Sequence, residues 1–323
     1  MKNKYSNKYI IETGIGLQDV DGLKNSSYFL NETNRYIKGE ISLDELDQII
    51  TSYYQNKSDN KERSEEADKV SIRIAKIIAE DSFSFTVGQL LTIHRTLFKD
   101  ILDGPGQVRS FNFVKKEWVL DGASVTYGDY RELENTLQYD FEQEKKYRYD
   151  NLSLDEIIEH LAIFVSNLWQ IHAFEEGNTR TTAVFFIKYL RSLGFDVTND
   201  IFAKYAWYFR NSLVRANYTN VSIGIYEDRS YLVKFLRNLL LNEKNELKNR
   251  DLHISKIESS GANSREFKLI ALIKEKENIK ADELAKALGV SLRTVKNVIK
   301  SLEDNKTLVR VNGKRYGYWK VLK

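Results

Sequence analysis

Residues 172–180, HAFEEGNTR, separate two strongly apolar stretches, and the fold turns on how that junction is read. The preceding stretch, LDEIIEHLAIFVSNLWQI (154–171), carries Leu154, Ile157, Ile158, Leu161, Phe164, Val165, Leu168 and Trp169, which cover most of a helical circumference towards its end. That is the pattern of a central, buried helix. Ser153, with Glu156 three positions later, supplies a capping box at its start. The following stretch, TRTTAVFFIKYLRSL (179–193), reads as a second apolar helix ended by Gly194. Starting near Asn178, it would aim its unpaired N–H groups and the positive end of its dipole into the break, a ready site for an anion.

The residues of the break add chemistry to that geometry. Gly177 lets the backbone approach a phosphate closely, and Arg180, in the first helical turn, can fork onto phosphate oxygens. Glu176 offers a hard oxygen ligand of the kind that Mg²⁺ (or Mn²⁺) takes when it bridges phosphates. His172, at the end of the buried helix, can take a proton from an attacking hydroxyl. Each has a plainer reading alone. A histidine beside an apolar face is usually a satisfied core residue, which is the expectation for His94, His160 and His253. A lone Glu176 would be a solvated carboxylate, and Phe174 is expected to anchor the loop rather than to react. Base, metal ligand, anion cradle and phosphate clamp within nine residues favour the combined reading.

Outward from the junction the pattern stays mostly helical. Ser42 and Glu45 form a capping box opening a helix to about Tyr54, and helices are predicted near 65–80, 87–99 (capped by Thr86), 200–217 and 229–242. Residues 1–25, with weak periodicity and several glycines, are expected to be irregular or extended. The glycine- and β-rich segment 104–128, with Asp121-Gly122 between two apolar runs, predicts a hairpin. The chain has 323 residues, 42% hydrophobic and 29% charged, which is ordinary for a soluble protein. With no apolar window near 18 residues and no signal core in MKNKYSNKYI, the expectation is a cytoplasmic protein without a membrane partner. The absence of cysteine excludes disulfides, thiolate nucleophiles and cysteine-ligated zinc. The net charge of +3 is uneven: residues 264–323 hold 15 Lys and Arg against 7 Asp and Glu, leaving 34 against 39 elsewhere. A basic tail on an acidic body suggests a separate domain with nucleic acid as a candidate partner.

HAFEEGNTR resembles the signature loop of the Fic (Fido) family, commonly H-P-F-x-[D/E]-G-N-G-R, and the likeness runs from about Thr86 to Leu241 through IHRTLF, GQVR, the hairpin and the signature. The resemblance implies a mostly α fold: a helical Fic domain with a β-hairpin flap. It implies a protein adenylyltransferase that uses ATP and Mg²⁺ to attach AMP to a hydroxyl side chain of a target protein, releasing pyrophosphate. His172 would be the catalytic base, Phe174 the loop anchor and Glu176 the metal ligand. Gly177, Asn178 and the backbone of Thr179 would form the anion hole, with Arg180 on the outer phosphates. Trp118, Val119, Leu120, Ser124 and Val125 would form the flap that holds the target segment by strand addition. Transfer of UMP or of a terminal phosphate is the alternative chemistry, and a DNA-binding regulator with a nucleotide-sensing domain the alternative class. Three residues depart from the signature: Ala173 for proline, Thr179 for glycine, and Ala183 where many members carry a second arginine. In many relatives that arginine is held by a glutamate from an inhibitory helix, [S/T]-x-x-x-E-[G/N]. The closest stretch here, Ser58 to Glu62, is followed by Arg63, and the acidic run at Glu65, Glu66 and Asp68 is a vaguer candidate.

Residues 264–323 read as a small winged helix-turn-helix domain. SREFKLIALIKEK is its first helix, ADELAKALGVSLRTVKNVIKSLEDN a helix, a Gly289 turn and a helix capped by Ser291, and LVRVNGKRYGYWKVL two strands joined at Asn312-Gly313. Arg293, Lys296, Asn297 and Lys300 on the second helix, with Lys314 and Arg315 on the wing, are the candidate contacts to duplex DNA; docking to protein is the competing use. The expected layout is an N-terminal helical region (1–85), the catalytic domain (86–245), a linker (246–263) and the winged helix (264–323), with a homo-oligomer left open.

Overall fold

The fold follows from where the apolar helices can hide their faces. In the computed structural model, which describes residues 5–56, 63–255, 262–304, 307–311, 313 and 317–322, one hydrophobic core is shared by eleven helices. These are α1 (Asn7–Gly16), α2 (Ser27–Ile37), α3 (Leu43–Asn56), α4 (Arg63–Ala79), α5 (Val87–Phe98), α6 (Leu133–Lys146), α7 (Leu154–Ile171), α8 (Asn178–Ser192), α9 (Ile201–Ala216), α10 (Ser230–Leu241) and the short α11 (Asn249–Leu252). Helices α7 and α8 sit at its middle. Every residue of α8 from Asn178 to Leu190 is buried, so even its polar side chains need partners; Lys188 donates to the carbonyl of Glu80. Both predicted capping boxes form. Ser153 and Glu156 bond reciprocally at the start of α7, and Ser42 and Glu45 do the same ahead of α3.

The N-terminal stretch departs from expectation. Residues 7–21 are helical, as α1 and a following 3₁₀ turn. The glycines that argued against a helix are its contact points. A Cβ on Gly14 would come within 2.3 Å of the Ser71 carbonyl oxygen, and one on Gly16 equally near that of Ala203. Small residues let α1 press onto α4 and α9, and that packing outweighs the poor helix propensity of glycine. Helices α2 and α6 also form, in stretches to which the sequence reading assigned no element.

The segment expected to be a hairpin is a turn without a strand ladder among the described residues. Asp121 (φ 50°) and Gly122 (φ 85°) take the positive-φ geometry that their pairing predicts, and Ala123 N–H closes the turn onto the Leu120 carbonyl at 3.0 Å. The two sides meet through Glu117 N–H to Ala123 O (2.9 Å) and Gly122 N–H to Glu117 O (3.0 Å). Trp118–Leu120 then coils into a 3₁₀ turn that sinks Val119 into the core, which ends the pairing.

Residues 262–322 have their own core. Helices α12 (Ala262–Glu275), α13 (Ala281–Leu288) and α14 (Leu292–Asp304) enclose Leu269, Ile273, Leu284, Val295, Ile299 and Leu302, closed by β1 (Leu308–Val311) and β2 (Tyr318–Val321). The strands pair antiparallel, Leu308 with Val321 through Val311 with Tyr318. Gly289 ends α13 at φ 63°, making the turn of the helix-turn-helix. In the stretch 246–263, Leu247, Leu252 and Ile254 are buried in the first core.

Asp68 of α4 ties the N-terminal helices together. Wholly buried, it accepts from Asn25 and from the Ser26 amide at one oxygen, and from the Ser26 and Tyr54 hydroxyls at the other. Asp68→Ala would strand four donors, and we expect a loss of about 3 kcal/mol in urea unfolding followed by tryptophan fluorescence. A loss below about 1 kcal/mol would show that these bonds contribute little beyond what water supplies.

Candidate active site

Helix α7 ends at His172, whose left-handed backbone (φ 52°, ψ 57°) turns the chain into the HAFEEGNTR loop. The amide of His172 donates to the Trp169 carbonyl at 3.1 Å, and the ring Nδ1 lies 3.3 Å from the same oxygen. The ring is walled by Tyr127, stacked at 4.0 Å, and by Phe113 and Trp169, edge-on at 5.7 and 5.2 Å. Only 3% of the residue is exposed, and Nε2 has no hydrogen-bond partner among the described residues. With the proton assigned to Nδ1 facing the carbonyl, Nε2 keeps a free lone pair. Burial holds the imidazole pKa well below its ordinary value, with the cations Lys115, Arg210 and Arg109 acting in the same direction. The ring is therefore neutral and able to accept a proton at neutral pH.

The loop after His172 is fixed by its own side chains. Asn178 accepts from the Phe174 amide (2.9 Å) and donates to the Phe174 carbonyl (2.6 Å). Its side chain is thus committed to the loop, and only its backbone N–H is left to face a ligand. Phe174, 2% exposed, stacks on His94 at 3.8 Å. His94 is a satisfied buried histidine with a further use. It accepts from Gly106 N–H at Nδ1 (2.7 Å), and its Nε2 reaches the Glu176 carbonyl (3.1 Å). Burial lowers its pKa to about 4, which keeps the acceptor nitrogen free. Gly177 has φ 74°, and a Cβ there would overlap the Phe98 ring at 2.3 Å, so this position admits only glycine. The amides of Asn178, Thr179 and Arg180 open α8 and have no intrahelical carbonyl to bond. The Thr179 hydroxyl turns inward and accepts from Trp169 Nε1–H at 2.9 Å.

Glu176 is half exposed and pairs with Lys115 at 3.1 Å. Among the described residues no group of three His, Cys, Asp or Glu side chains could hold a metal by itself. An ion here would take Glu176 as its side-chain ligand and complete its shell with phosphates and water. That donor set suits Mg²⁺, which is commonly held by one or two carboxylates and substrate phosphates.

Arg180 is the residue whose surroundings the sequence least foreshadows. Only 2% exposed, it lies over the Phe98 ring at 4.7 Å. It forms ion pairs with Asp21 (2.8 Å) and Glu66 (2.7 Å) and donates to Gln18 (3.0 Å). Ala183 is buried, and the carboxylate of Glu66, from the acidic run opening α4, reaches Arg180 instead of a second arginine. Gln18 and Asp21 lie in the stretch expected to be irregular, where lone polar residues give no signal.

The flap lies over the histidine side of the loop. Buried Arg109 of the GQVR segment donates to the carbonyls of His172 (2.7 Å), Phe111 (2.6 Å) and Gly128 (2.5 Å), lacing the flap base to the end of α7. Glu117, fully buried, is forked by Arg210 of α9 at 2.6 and 3.0 Å and receives the Tyr127 hydroxyl at 3.3 Å. Of the expected target contacts, Val119, Leu120 and Val125 are buried and offer no side chain to a partner. Ser124 is half-buried, bonded to the Lys115 amide, and Trp118 is 48% exposed. Phe111 and Val114, 46% and 79% exposed, are apolar flap residues that the sequence reading did not single out. A cleft of about 640 Å³ opens between Asp21, Lys115, Trp118, Glu176, Trp207 and Arg210. In the C-terminal unit, Arg293, Lys296, Asn297 and Lys300 share the exposed face of α14. Lys314, Arg315, Ser58 and Glu62 lie outside the described residues.

The sequence profile of the Fic/DOC family matches residues 84–190, and that of an HTH domain matches residues 265–319. The chain therefore carries a Fic/DOC family domain followed by a helix-turn-helix domain. Fic domain proteins are generally transferases, and the family points to transfer of a nucleotidyl or phosphate group to a target. Among solved structures, a Fic family protein from Desulfovibrio desulfuricans G20 is similar at 14% identity and a TM-score of 0.43, over 98% of this chain and 86% of that one. No curated protein matches the chain. No described helix is long and apolar enough to cross a membrane.

A phosphate that reaches Arg180 must share the guanidinium with two carboxylates. Glu66→Gln keeps the shape and removes one charge, and we expect it to tighten binding of a non-hydrolysable ATP analogue about tenfold in calorimetry, or about 1.4 kcal/mol. An unchanged or weaker Kd would mean that Arg180 does not meet the phosphates.

Proposed function

We propose that the protein transfers AMP from ATP to a hydroxyl side chain of a target protein. The observation that carries this reading is the buried, unpartnered Nε2 of His172 beside a helix start whose free amides are offered to an anion. A site that only bound nucleotide would have no use for such a base. The target hydroxyl gives its proton to His172 Nε2 as its oxygen bonds to the α-phosphorus, and the bond from that phosphorus to the bridging oxygen of pyrophosphate breaks. Amides at the start of α8 and Arg180 stabilise the phosphate charge, and Glu176 would hold Mg²⁺, which neutralises phosphate charge when bound. Catalysis of this kind rests on positioning and electrostatics. Thr179, one of the three departures from the signature, turns its hydroxyl onto Trp169, so its side chain demands no change of transferred group.

His172→Ala is expected to leave ATP affinity within about twofold while lowering transfer at least about a hundredfold, the scale set by loss of a general base. α-labelled and γ-labelled ATP, compared on the wild type, distinguish AMP from phosphate transfer. Label retained only from the γ-position would overturn the adenylyl reading. Because the His172 pKa lies well below 6.5, the ring remains neutral as pH falls through 6.5. Transfer should therefore hold its plateau there rather than halve.

We further propose that the C-terminal domain binds duplex DNA through the exposed face of α14. In the full chain, Arg293→Ala with Lys296→Ala should weaken DNA binding and lower the slope of log affinity against log salt by about 0.9 for each phosphate no longer neutralised. Equal binding by the variant would move the assignment to protein docking.

A further inference from the structure

Thr179 stands where the Fic signature has glycine, and it is one of the residues through which this chain departs from the pattern. It is 5% exposed, with its side chain directed away from the loop surface, and its hydroxyl accepts from Trp169 Nε1–H at 2.9 Å. Trp169 is wholly buried, and its indole N–H is the one polar group of its side chain, so it needs an acceptor there. Glycine at 179 would provide none.

Trp169 also shapes the base. Its ring stands perpendicular to the His172 imidazole (90°, 5.2 Å between centroids) and edge-on to Tyr127 at 5.8 Å, while Tyr127 stacks on the imidazole face as an adjoining wall. Its carbonyl faces His172 Nδ1 at 3.3 Å. One residue thus limits both the plane of the imidazole and which nitrogen carries the proton. We infer that Thr179 is a positioning residue for His172, acting through Trp169: its hydroxyl locks the indole, and the locked indole holds the imidazole in the plane where Nδ1 faces the Trp169 carbonyl, which leaves Nε2 as the free acceptor. The inference rests on the reading of His172 as the proton acceptor. It adds a cause for the departure at 179 that concerns the base rather than the phosphates.

The test uses the full chain with Thr179→Val, which keeps the shape and the backbone amide but removes the acceptor, and Thr179→Ser, which restores it. The chain has four tryptophans, so Trp169→Phe assigns the Trp169 indole resonance in ¹⁵N spectra. The expected result for Thr179→Val is indole hydrogen exchange faster by at least about tenfold, because the buried N–H loses its bond. The ¹⁵N shifts of the His172 ring should move from a single tautomer towards a mixture. The same variant should lose kcat by about tenfold or more with KM for ATP within about twofold, the signature of a fault confined to the reacting geometry. Thr179→Ser should recover all three. If valine and serine lower kcat and raise KM alike, or if valine leaves the indole exchange and the His172 shifts as in wild type, the inference is overturned. If valine does not fold, Thr179→Ala, which also removes the acceptor, decides: faster indole exchange with a mixture of His172 tautomers supports the link, and wild-type values for both refute it. Should the wild type transfer nothing, the transferase reading fails by itself, and the tautomer and exchange measurements still judge the Thr179–Trp169–His172 link.

Discussion

The reciprocal pair of hydrogen bonds between the Asn178 side chain and the Phe174 backbone is the constraint on which the site depends. It closes the break between two buried helices into one shape, so the end of α7 and the start of α8 cannot drift apart. The unpartnered Nε2 of His172 at one helix end and the open amides of α8 at the other then belong to one fixed loop. Glycine at 177 is the matching steric condition, since any side chain there would strike Phe98. His94 supports the same loop from beneath, through its stack on Phe174 and its bond to the Glu176 carbonyl. Rigidity of this kind is what a reaction that relies on orientation needs, because geometry arranged before the substrate arrives need not be formed during the reaction.

Charge is managed as tightly as shape. Arg180 is buried with Asp21, Glu66 and Gln18 around it, and Glu117 is buried under the fork of Arg210. A buried ion left alone is costly, so each of these groups fixes the position of the element that supplies its partner. The start of α4 and the turn after α1 are held at Arg180, and the flap is held at α9. The N-terminal helices therefore belong to the site electrostatically, although they contribute nothing to the signature loop.

The flap shows the same economy. Its turn has the backbone that Asp121-Gly122 asks for, yet Val119, Leu120 and Val125 are drawn inward by the core, and Arg109 ties its base to His172. The large apolar side chains left exposed there are Phe111, Val114 and Trp118. Trp118 is itself touched by His253, edge-on at 4.8 Å, from the segment that leads to the second domain.

By itself the sequence determined the two central helices, their caps, the loop between them, the helix-turn-helix and its short sheet. All are local: capping pairs, apolar periodicity, a positive-φ glycine and a turn dipeptide carry their meaning within a few residues. The loop that places His172, Phe174, Glu176 and Gly177 together was legible for the same reason, since their spacing is short and the combination unusual. Tertiary structure alone decided what lies across the chain from them. That α1 is a helix depends on glycines meeting Ser71 and Ala203, contacts made far away in sequence. That Arg180 meets Asp21 and Glu66, that the hairpin collapses into a turn, and that the Thr179 hydroxyl bonds Trp169 are each set by which surfaces are brought together. A lone carboxylate or hydroxyl acquires its function from its neighbours, and no local pattern records who they will be.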